Sequence, residues 1–248
     1  HRSNKLREDI GLDSNCKIVI AISTIATGMK DVLLALANLP SDFHLVVIGS
    51  IVPCSYKQDI LDYADELNVK NRFWIVDPVP YSELTSFISS ADVGLIIREP
   101  GVKNNFVSLP NRIFDYMFAG VPVVAPFMPD INRVITTNNF GISLEEVNPT
   151  EWKRSILTAH KNRSELRESA LLAAKSLTWE SVEEDLLSFI GEPKSVTIIG
   201  QKNLLKHNRS IRIAKTLAQN GVTVNLAVDE GYIRDDVLNN DAFTVVGY

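Results

Sequence analysis

The chain of 248 residues contains 45% apolar and 22% charged residues, a balance typical of folded globular domains and unlike that of disordered or fibrous proteins. Its formal net charge of −5 creates no positive field for a polyanion, so nucleic acid is not an expected partner. Its two cysteines, Cys16 and Cys54, form no disulfide or zinc-ligand pattern, and no apolar run is long enough to cross a bilayer.

Residues 17 to 144 alternate short β-branched segments with longer segments of helical periodicity. This alternation predicts a Rossmann-like, doubly wound α/β fold, in which helices cover both faces of a parallel sheet. The six predicted strands are Lys17–Ser23, Phe43–Gly49, Phe73–Asp77, Val93–Arg98, Pro122–Ala125 and Gly141–Leu144. The helices predicted between them are Lys30–Asn38, Tyr56–Leu67, Ser82–Ser90 and Pro110–Ala119.

After residue 144 the pattern becomes helical and then returns to α/β. Three successive helices are predicted at Thr150–His160, Ser164–Leu177 and Trp179–Ile190. Gly191 and Pro193 end this region, which predicts a first domain over residues 1–192. Residues 193–248 read as a partial second α/β domain, because they are too few to close a core of their own. Its predicted elements are a strand at Ser195–Ile199, a helix at Ser210–Asn220, and strands at Val222–Ala227 and Phe243–Val246, with Tyr232–Leu238 between the last two.

The segment from Ser108 to Val124 carries the clearest functional signal. Ser108 is a predicted N-cap and Pro110 suits the first helical turn, so a helix begins here with its positive dipole end facing the preceding loop. Such an end binds phosphate, Asn111 and Arg112 add a polar group and a positive charge, and Asp115 can accept hydrogen bonds from ribose hydroxyls. The same pattern also describes an ordinary helix of a doubly wound sheet with a solvated acid, and by itself leaves both interpretations open.

The sequence Ser-Leu-Pro-Asn-Arg-Ile-Phe-Asp-Tyr-Met-Phe-Ala-Gly-Val-Pro-Val-Val resembles the donor-site segment of GT-B glycosyltransferases of the family 4 group, often written Ser-x-Pro-Asn-Lys-x-x-Glu-Tyr-x-x-x-Gly-x-Pro-Val. The resemblance covers residues 5 to 190 and implies the C-terminal, nucleotide-sugar-binding half of that fold. It is carried further by Leu6–Leu12, Val79–Glu83, Ala91–Leu95 and Trp179. Residues 195 to 227 resemble the start of the N-terminal, acceptor-side domain of a second glycosyltransferase. Because the chain also begins with His1 and not Met, we expect a segment of a longer, tandem enzyme.

The resemblance implies a hexosyltransferase of polysaccharide biosynthesis that is retaining, independent of metal and without a cofactor. Its expected partners are a UDP- or GDP-sugar donor, a glycan or lipid-linked acceptor and the flanking domains of the same polypeptide. Its expected location is the cytoplasm, with peripheral contact at the inner membrane as an option. The donor-binding residues that it implies are Ser108 and Asn111 on the diphosphate, Arg112 against its charge, Asp115 on the ribose, and Gly49 and Val79 in the base pocket.

Two departures from the family pattern bear on activity. The paired glutamates of the family, eight positions apart, correspond to Val107 and Asp115. The Arg and Lys that follow the first strand in the family are replaced by a loop whose one cation is Lys30. Arg98, Lys103 and Arg112 are the other cations that could neutralise a diphosphate. A degenerate, non-catalytic nucleotide-sugar-binding or scaffold domain is therefore the alternative, and no catalytic residue is assigned.

Other enzyme classes lack their motifs. No Gly-x-Gly-x-x-Gly follows the first strand, which argues against a nicotinamide or flavin enzyme, and no phosphate-binding P-loop is present. The four histidines have no metal-ligand spacing. The charged residues of the last helices alternate in sign, which favours a solvated face over a membrane-docking one.

Overall fold

The computed structural model describes residues 3–22, 24–25, 27–99, 101–191, 195–199, 208–228 and 244–247. These residues fall into two compact units, unit 1 up to Ser176 and unit 2 from Leu177 onward. The elements of unit 1 are α1 (Lys5–Ile10), β1 (Lys17–Ile22), α2 (Met29–Ala37), β2 (Phe43–Ile48), α3 (Cys54–Glu66), a 3₁₀ turn (Lys70–Arg72), β3 (Phe73–Val76), α4 (Tyr81–Ile88), β4 (Val93–Leu95), α5 (Lys103–Phe106), α6 (Arg112–Ala119), β5 (Val123–Pro126), α7 (Pro129–Asn138), β6 (Gly141–Leu144), α8 (Pro149–Lys161) and α9 (Arg163–Ser176).

The six strands form one parallel sheet in the order β3-β2-β1-β4-β5-β6. Successive residues of each strand face opposite sides, so Val19 and Ala21 pack with α2, α3 and α8, whereas Ile18 and Ile20 pack with α4, α6 and α7. Both faces are buried, which explains why the strands are continuous apolar runs. The predicted doubly wound, Rossmann-like α/β fold is confirmed.

Several elements and bounds differ from the sequence prediction, beginning with helix α1, which was not predicted. Helix α7 was not predicted, although Pro129 opens it and Ile131 and Ile135 are buried four residues apart. Strand β4 ends at Leu95 and not at Arg98, and α6 begins two residues after Pro110. The short helix α5 was also not predicted, because its four residues are too few to show helical periodicity.

The described part of unit 2 contains α10 (Glu180–Ile190), β7 (Ser195–Ile199), α11 (Asn208–Gln219), β8 (Thr223–Val228) and β9 (Thr244–Gly247). Its strands are parallel in the order β7-β8-β9. The apolar cluster of this unit joins Ala214 and Leu217 of α11 to β8 and to Leu187 of α10. The predicted segment Tyr232–Leu238 lies outside the described residues, as does Phe243.

The boundary between the units precedes α10, whereas the sequence analysis placed a boundary after this helix, at residue 192. The difference concerns α10 alone. Within unit 2, Leu187 and Ile190 pack against the apolar cluster, and Trp179 donates a hydrogen bond from Nε1 to Thr216 Oγ1 over 2.8 Å.

Candidate functional site

The candidate site lies in unit 1, at the carboxyl edge of the sheet between β1 and β4. These strands are neighbours in the sheet but are separated in the chain by β2 and β3. The chain therefore leaves them in opposite directions, and a crevice opens between their carboxyl ends. Helix α6 begins on this side of the sheet, because it follows β4 and leads into the amino end of β5.

A buried tyrosine of α6, Tyr116, fixes this helix to the crevice. Its hydroxyl accepts a hydrogen bond from the amide of Ile22 over 3.1 Å and lies 3.1 Å from the carbonyl oxygens of Ile20 and Leu95. One hydroxyl thus joins β1 to β4 where their pairing stops at Leu95. Burial raises the pKa of Tyr116, so the hydroxyl remains protonated and can donate.

The close packing of Tyr116 depends on a glycine in β4. A Cβ added at Gly94 would lie 2.7 Å from two carbon atoms of the Tyr116 ring, well inside normal contact distance. The glycine therefore leaves the space that the ring fills. As a result, α6 holds a fixed position against β4 and presents its first turn to the crevice.

Two arginines approach the start of α6. Arg98, which follows β4, donates a hydrogen bond from Nη1 to Ser108 Oγ over 2.7 Å. Burial lowers the pKa of Arg98. The pKa of Arg112, the first residue of α6, is also lowered, chiefly by burial and further by the nearby charge of Arg98. Both guanidinium groups stay charged, since arginine does not lose its proton in proteins. Two partly buried positive charges beside each other form a site that suits a doubly charged anion.

The N-terminus of α6 adds the helix dipole to these charges. Asn111 is the N-cap, and the amides of Ile113 and Phe114 already donate to the carbonyl oxygens of Pro110 and Asn111 over 3.1 and 2.9 Å. The expected N-cap role of Ser108 is wrong, because α6 begins at Arg112 and its N-cap is Asn111; the Ser108 hydroxyl accepts from Arg98. The helix dipole still favours an anion at this end.

Asp115 lies one turn into α6 and is half-buried. Its Oδ1 lies 3.3 Å from the hydroxyl of Tyr81, the first residue of α4, which donates the hydrogen bond. Burial raises the pKa of Asp115, while this hydrogen bond and the charge of Arg112 act in the opposite direction. The Asp115 carboxylate therefore provides a hydrogen-bond acceptor next to the two arginines.

The two residues predicted to line the base pocket follow neighbouring strands. Gly49, with a φ of 130°, comes directly after β2 and donates its amide to the carbonyl of Val76 over 2.9 Å. Val79 follows β3, is half-buried and packs against the apolar layer that includes the inner face of α6. Both lie at the carboxyl edge of the sheet, and their contact with a base stays a prediction.

The lysines considered as phosphate ligands differ from the arginines. Lys30 forms an exposed ion pair with Asp59 of α3 over 3.0 Å and covers the ring of Tyr63. This pairing raises the pKa of Lys30, chiefly through the hydrogen bond to Asp59. Lys103 is exposed on α5. The structure thus joins Arg98, Ser108 and the start of α6, and gives Lys30 a partner on another helix.

Sequence reasoning missed Tyr81 and Tyr116. Tyr81 follows Pro80 at the start of the helix after β3, and this position at the carboxyl edge was the available signal. Tyr116 reads as one more apolar residue of an amphipathic helix, since nothing in the sequence shows that its hydroxyl reaches two strands.

A separate pocket of about 210 Å³ opens at the opposite, amino edge of the sheet. Its charged side chains already serve the fold: Arg167 donates to the carbonyls of Ala119 and Gly120, and Arg163 lies 3.9 Å from Asp92. We place the candidate site at the carboxyl edge, where the guanidinium groups of Arg98 and Arg112 lie near each other and Arg98 donates to Ser108.

Within the ranges that the structure describes, no group of three His, Cys, Asp or Glu side chains comes together as a metal site. None of the helices in this part of the chain has the length and apolar character needed to cross a membrane. Cys16 and Cys54 are free thiols. Metal independence and a reducing location stay predictions.

Comparison with known proteins adds three findings. A family model described as glycosyl transferases group 1 matches residues 2–176. A D-inositol 3-phosphate glycosyltransferase of Corynebacterium glutamicum is 22% identical over an alignment of 201 residues, and the match covers 77% of this chain and 47% of that protein. The Anabaena protein HepE in complex with UDP has a similar fold, with a TM-score of 0.66 and 16% identity over 75% of this chain and 51% of HepE.

The match lies in one half of these relatives. The chain spans about half the length of the curated relative and of HepE. By contrast, it covers 92% of the C-terminal domain of LpcC, a group 1 family protein of Francisella tularensis, with a TM-score of 0.55 and 14% identity over 76% of this chain. The likeness to that isolated domain agrees with the expected C-terminal half of a GT-B fold, and the group 1 resemblance of this part of the chain is confirmed. The resemblance of residues 195 to 227 to the start of a second glycosyltransferase stays a prediction.

Proposed function

The chain belongs to the group 1 glycosyl transferases, and from that premise we propose that unit 1 binds the nucleotide-sugar donor of a glycosyl transfer. The observation that carries the proposal is the pair of partly buried guanidinium groups at the start of α6, Arg98 and Arg112. A diphosphate is the part of the donor that needs such charges. The UDP complex of HepE makes a uridine nucleotide the first ligand to test.

The diphosphate lies against the N-terminal end of α6 in this proposal. Ser108 and Asn111 hold its oxygens together with the backbone amides, and Arg98 and Arg112 balance its charge. When the sugar is transferred, the bond from its anomeric carbon to the diphosphate oxygen breaks. The acceptor hydroxyl oxygen forms the new bond and loses its proton, and the nucleotide diphosphate leaves with the added negative charge. The two guanidinium groups stabilise that charge.

The remaining residues bind the nucleoside. Asp115 accepts hydrogen bonds from the ribose hydroxyls, and Gly49 and Val79 line the base pocket at the ends of the neighbouring strands. We further propose retention of configuration, no metal requirement, and a glycan or lipid-linked acceptor bound by a flanking domain. Residues 1–248 then show no turnover by themselves, and transferase activity of this chain with any acceptor would contradict that part of the proposal.

Calorimetric titration with uridine, UMP, UDP and GDP tests donor binding. We expect affinity to rise from uridine to UDP as phosphates are added, and Arg112→Gln to weaken UDP by about 10- to 100-fold while leaving uridine unchanged. Arg133→Gln is the matched control, because Arg133 is an exposed arginine of α7 paired with Asp130. Equal losses in both variants would show that the arginines of α6 have no special role.

The alternative is a scaffold domain that keeps the fold and has lost the ligand. The pairing of Lys30 with Asp59 favours it, since the first loop then offers no cation to a phosphate. A folded chain that binds no nucleotide at millimolar concentration would support this alternative and refute the donor-site proposal.

A further inference from the structure

The hydrogen bond between Tyr81 of α4 and Asp115 of α6 joins two residues that are 34 positions apart in the chain. Tyr81 opens α4, directly after Pro80, and the amides of Glu83 and Leu84 bond back to the Pro80 carbonyl over 2.9 and 3.1 Å. These bonds fix the backbone that carries the tyrosine. The residue is 56% exposed, so packing alone does not explain the position of its side chain.

Two neighbours act on the carboxylate of Asp115 from different elements. Tyr81 of α4 contacts it by a hydrogen bond, whereas Arg112, three residues earlier on α6, acts on it as a nearby charge. Residues three apart on a helix are close enough to form an ion pair. If Asp115 turned toward Arg112, it would neutralise a charge that the diphosphate needs.

We propose that Tyr81 is a positioning residue that holds the Asp115 carboxylate on the ribose side of the site and away from Arg112. The inference rests on the donor-site function proposed above. As a consequence, two residues of the same helix contact different parts of the donor: Asp115 is available to the ribose hydroxyls and Arg112 to the diphosphate. Tyr81 thereby also sets the preference for ribose over deoxyribose.

Removal of the hydroxyl alone tests the proposal. We expect Tyr81→Phe to weaken UDP binding by about tenfold and to reduce the preference for UDP over 2′-deoxy-UDP to near unity. The effect of Tyr81→Phe must disappear in an Asp115→Asn background, because an amide forms neither the ion pair nor the same ribose contact. A merely structural tyrosine would give the same loss in both backgrounds.

The pH profile supplies a second readout. The groups facing Asp115 are Tyr81 from α4, and Arg112 and the buried Tyr116 from α6. The Tyr81 hydrogen bond and the charge of Arg112 both lower the pKa of Asp115, so a carboxylate that leaves Tyr81 for Arg112 should move the acid limb of UDP binding little. A clear shift of this limb to higher pH in Tyr81→Phe would mean that Asp115 has lost the hydrogen bond without turning toward Arg112, which contradicts the proposal. Tyr63→Phe, on α3, is the control and is expected to leave both the affinity and the profile unchanged.

The outcomes separate this inference from the proposed function. If the wild-type chain binds no nucleotide, the donor-site function fails and the role of Tyr81 fails with it. If the wild type binds UDP and prefers it over 2′-deoxy-UDP, but Tyr81→Phe behaves identically, only the role of Tyr81 is refuted. A thermal unfolding curve of Tyr81→Phe that matches the wild type confirms that any loss of affinity does not arise from unfolding.

Discussion

The hydroxyl of Tyr116 should contribute measurably to the stability of unit 1, and Tyr116→Phe removes it without changing the shape of the ring. Three backbone groups surround the hydroxyl, but the amide of Ile22 is the one that loses its acceptor. A buried donor left without a partner costs about 1–3 kcal/mol. Because phenylalanine leaves no cavity, we expect a loss of about 2 kcal/mol in the free energy of unfolding.

Hydrogen exchange followed by mass spectrometry measures this loss in each unit separately. A loss of about 2 kcal/mol speeds exchange by about 30-fold at amides that exchange through opening of unit 1, including those of β1 and β4. Peptides from α11, in unit 2, serve as an internal control and should be unaffected. Tyr63→Phe removes the hydroxyl of a partly buried tyrosine of α3 and should change stability by less than about 0.5 kcal/mol.

The result that refutes this reasoning is a change below about threefold in β1 and β4 with UDP affinity intact. Such a result would mean that the contacts of Tyr116 with the two strands do not hold α6. Faster exchange in unit 1 together with weaker UDP binding would instead show that the same hydroxyl supports both the fold and the site.

Three further substitutions test other parts of this account. Gly94→Ala should lower the thermal midpoint by forcing the ring of Tyr116 away, at a cost of about 1–3 kcal/mol, and an unchanged midpoint would show that the helix moves freely. Arg7→Met should cost about 3 kcal/mol in urea denaturation, since it removes the guanidinium group 3.1 Å from the buried Asp92 and leaves Arg163 3.9 Å away, and Arg7→Met with Asp92→Asn should recover part of the loss. Asp115→Asn should stabilise unit 1 at pH 7 while weakening the binding of UDP. Because the pKa of Asp115 is raised in the folded state, its stabilising contribution is present below pH 3.8 and is lost as the pH rises through the folded pKa. The stability gained by Asp115→Asn must therefore vanish below pH 3.8.

The sheet could be predicted from the sequence because each strand is a short apolar run between helical segments. The order of the strands could not be read as directly, since parallel neighbours are joined through helices and not through turns. The end of β4 shows the limit. The apolar run continues to Ile97, but beyond Leu95 the hydroxyl of Tyr116 takes the place of β1 as the hydrogen-bond partner.

Sequence reasoning named several residues of the candidate site but not the contacts among them. Arg112 and Asp115 lie on one predicted helix, so their approach to the same crevice followed from helical spacing. Ser108 was predicted to be an N-cap because capping is a local interaction that the sequence shows. Its actual partner, Arg98, follows β4, and this contact depends on the tertiary fold. The contact of Tyr81 with Asp115 likewise depends on how α4 packs beside α6, which no local pattern encodes.

The arrangement on α6 separates what holds the site from what the site binds. The inner face of this helix carries Tyr116, which fixes it between β1 and β4, and the outer part of its first turn carries Arg112 and Asp115. Substitutions on the inner face must therefore change stability and affinity together. Substitutions of Asp115 must change them in opposite directions, because its partly buried carboxylate costs stability in order to be available to a ligand. A chain that had become a scaffold would gain stability by losing that carboxylate, and the acid that remains at position 115 favours a site that still binds.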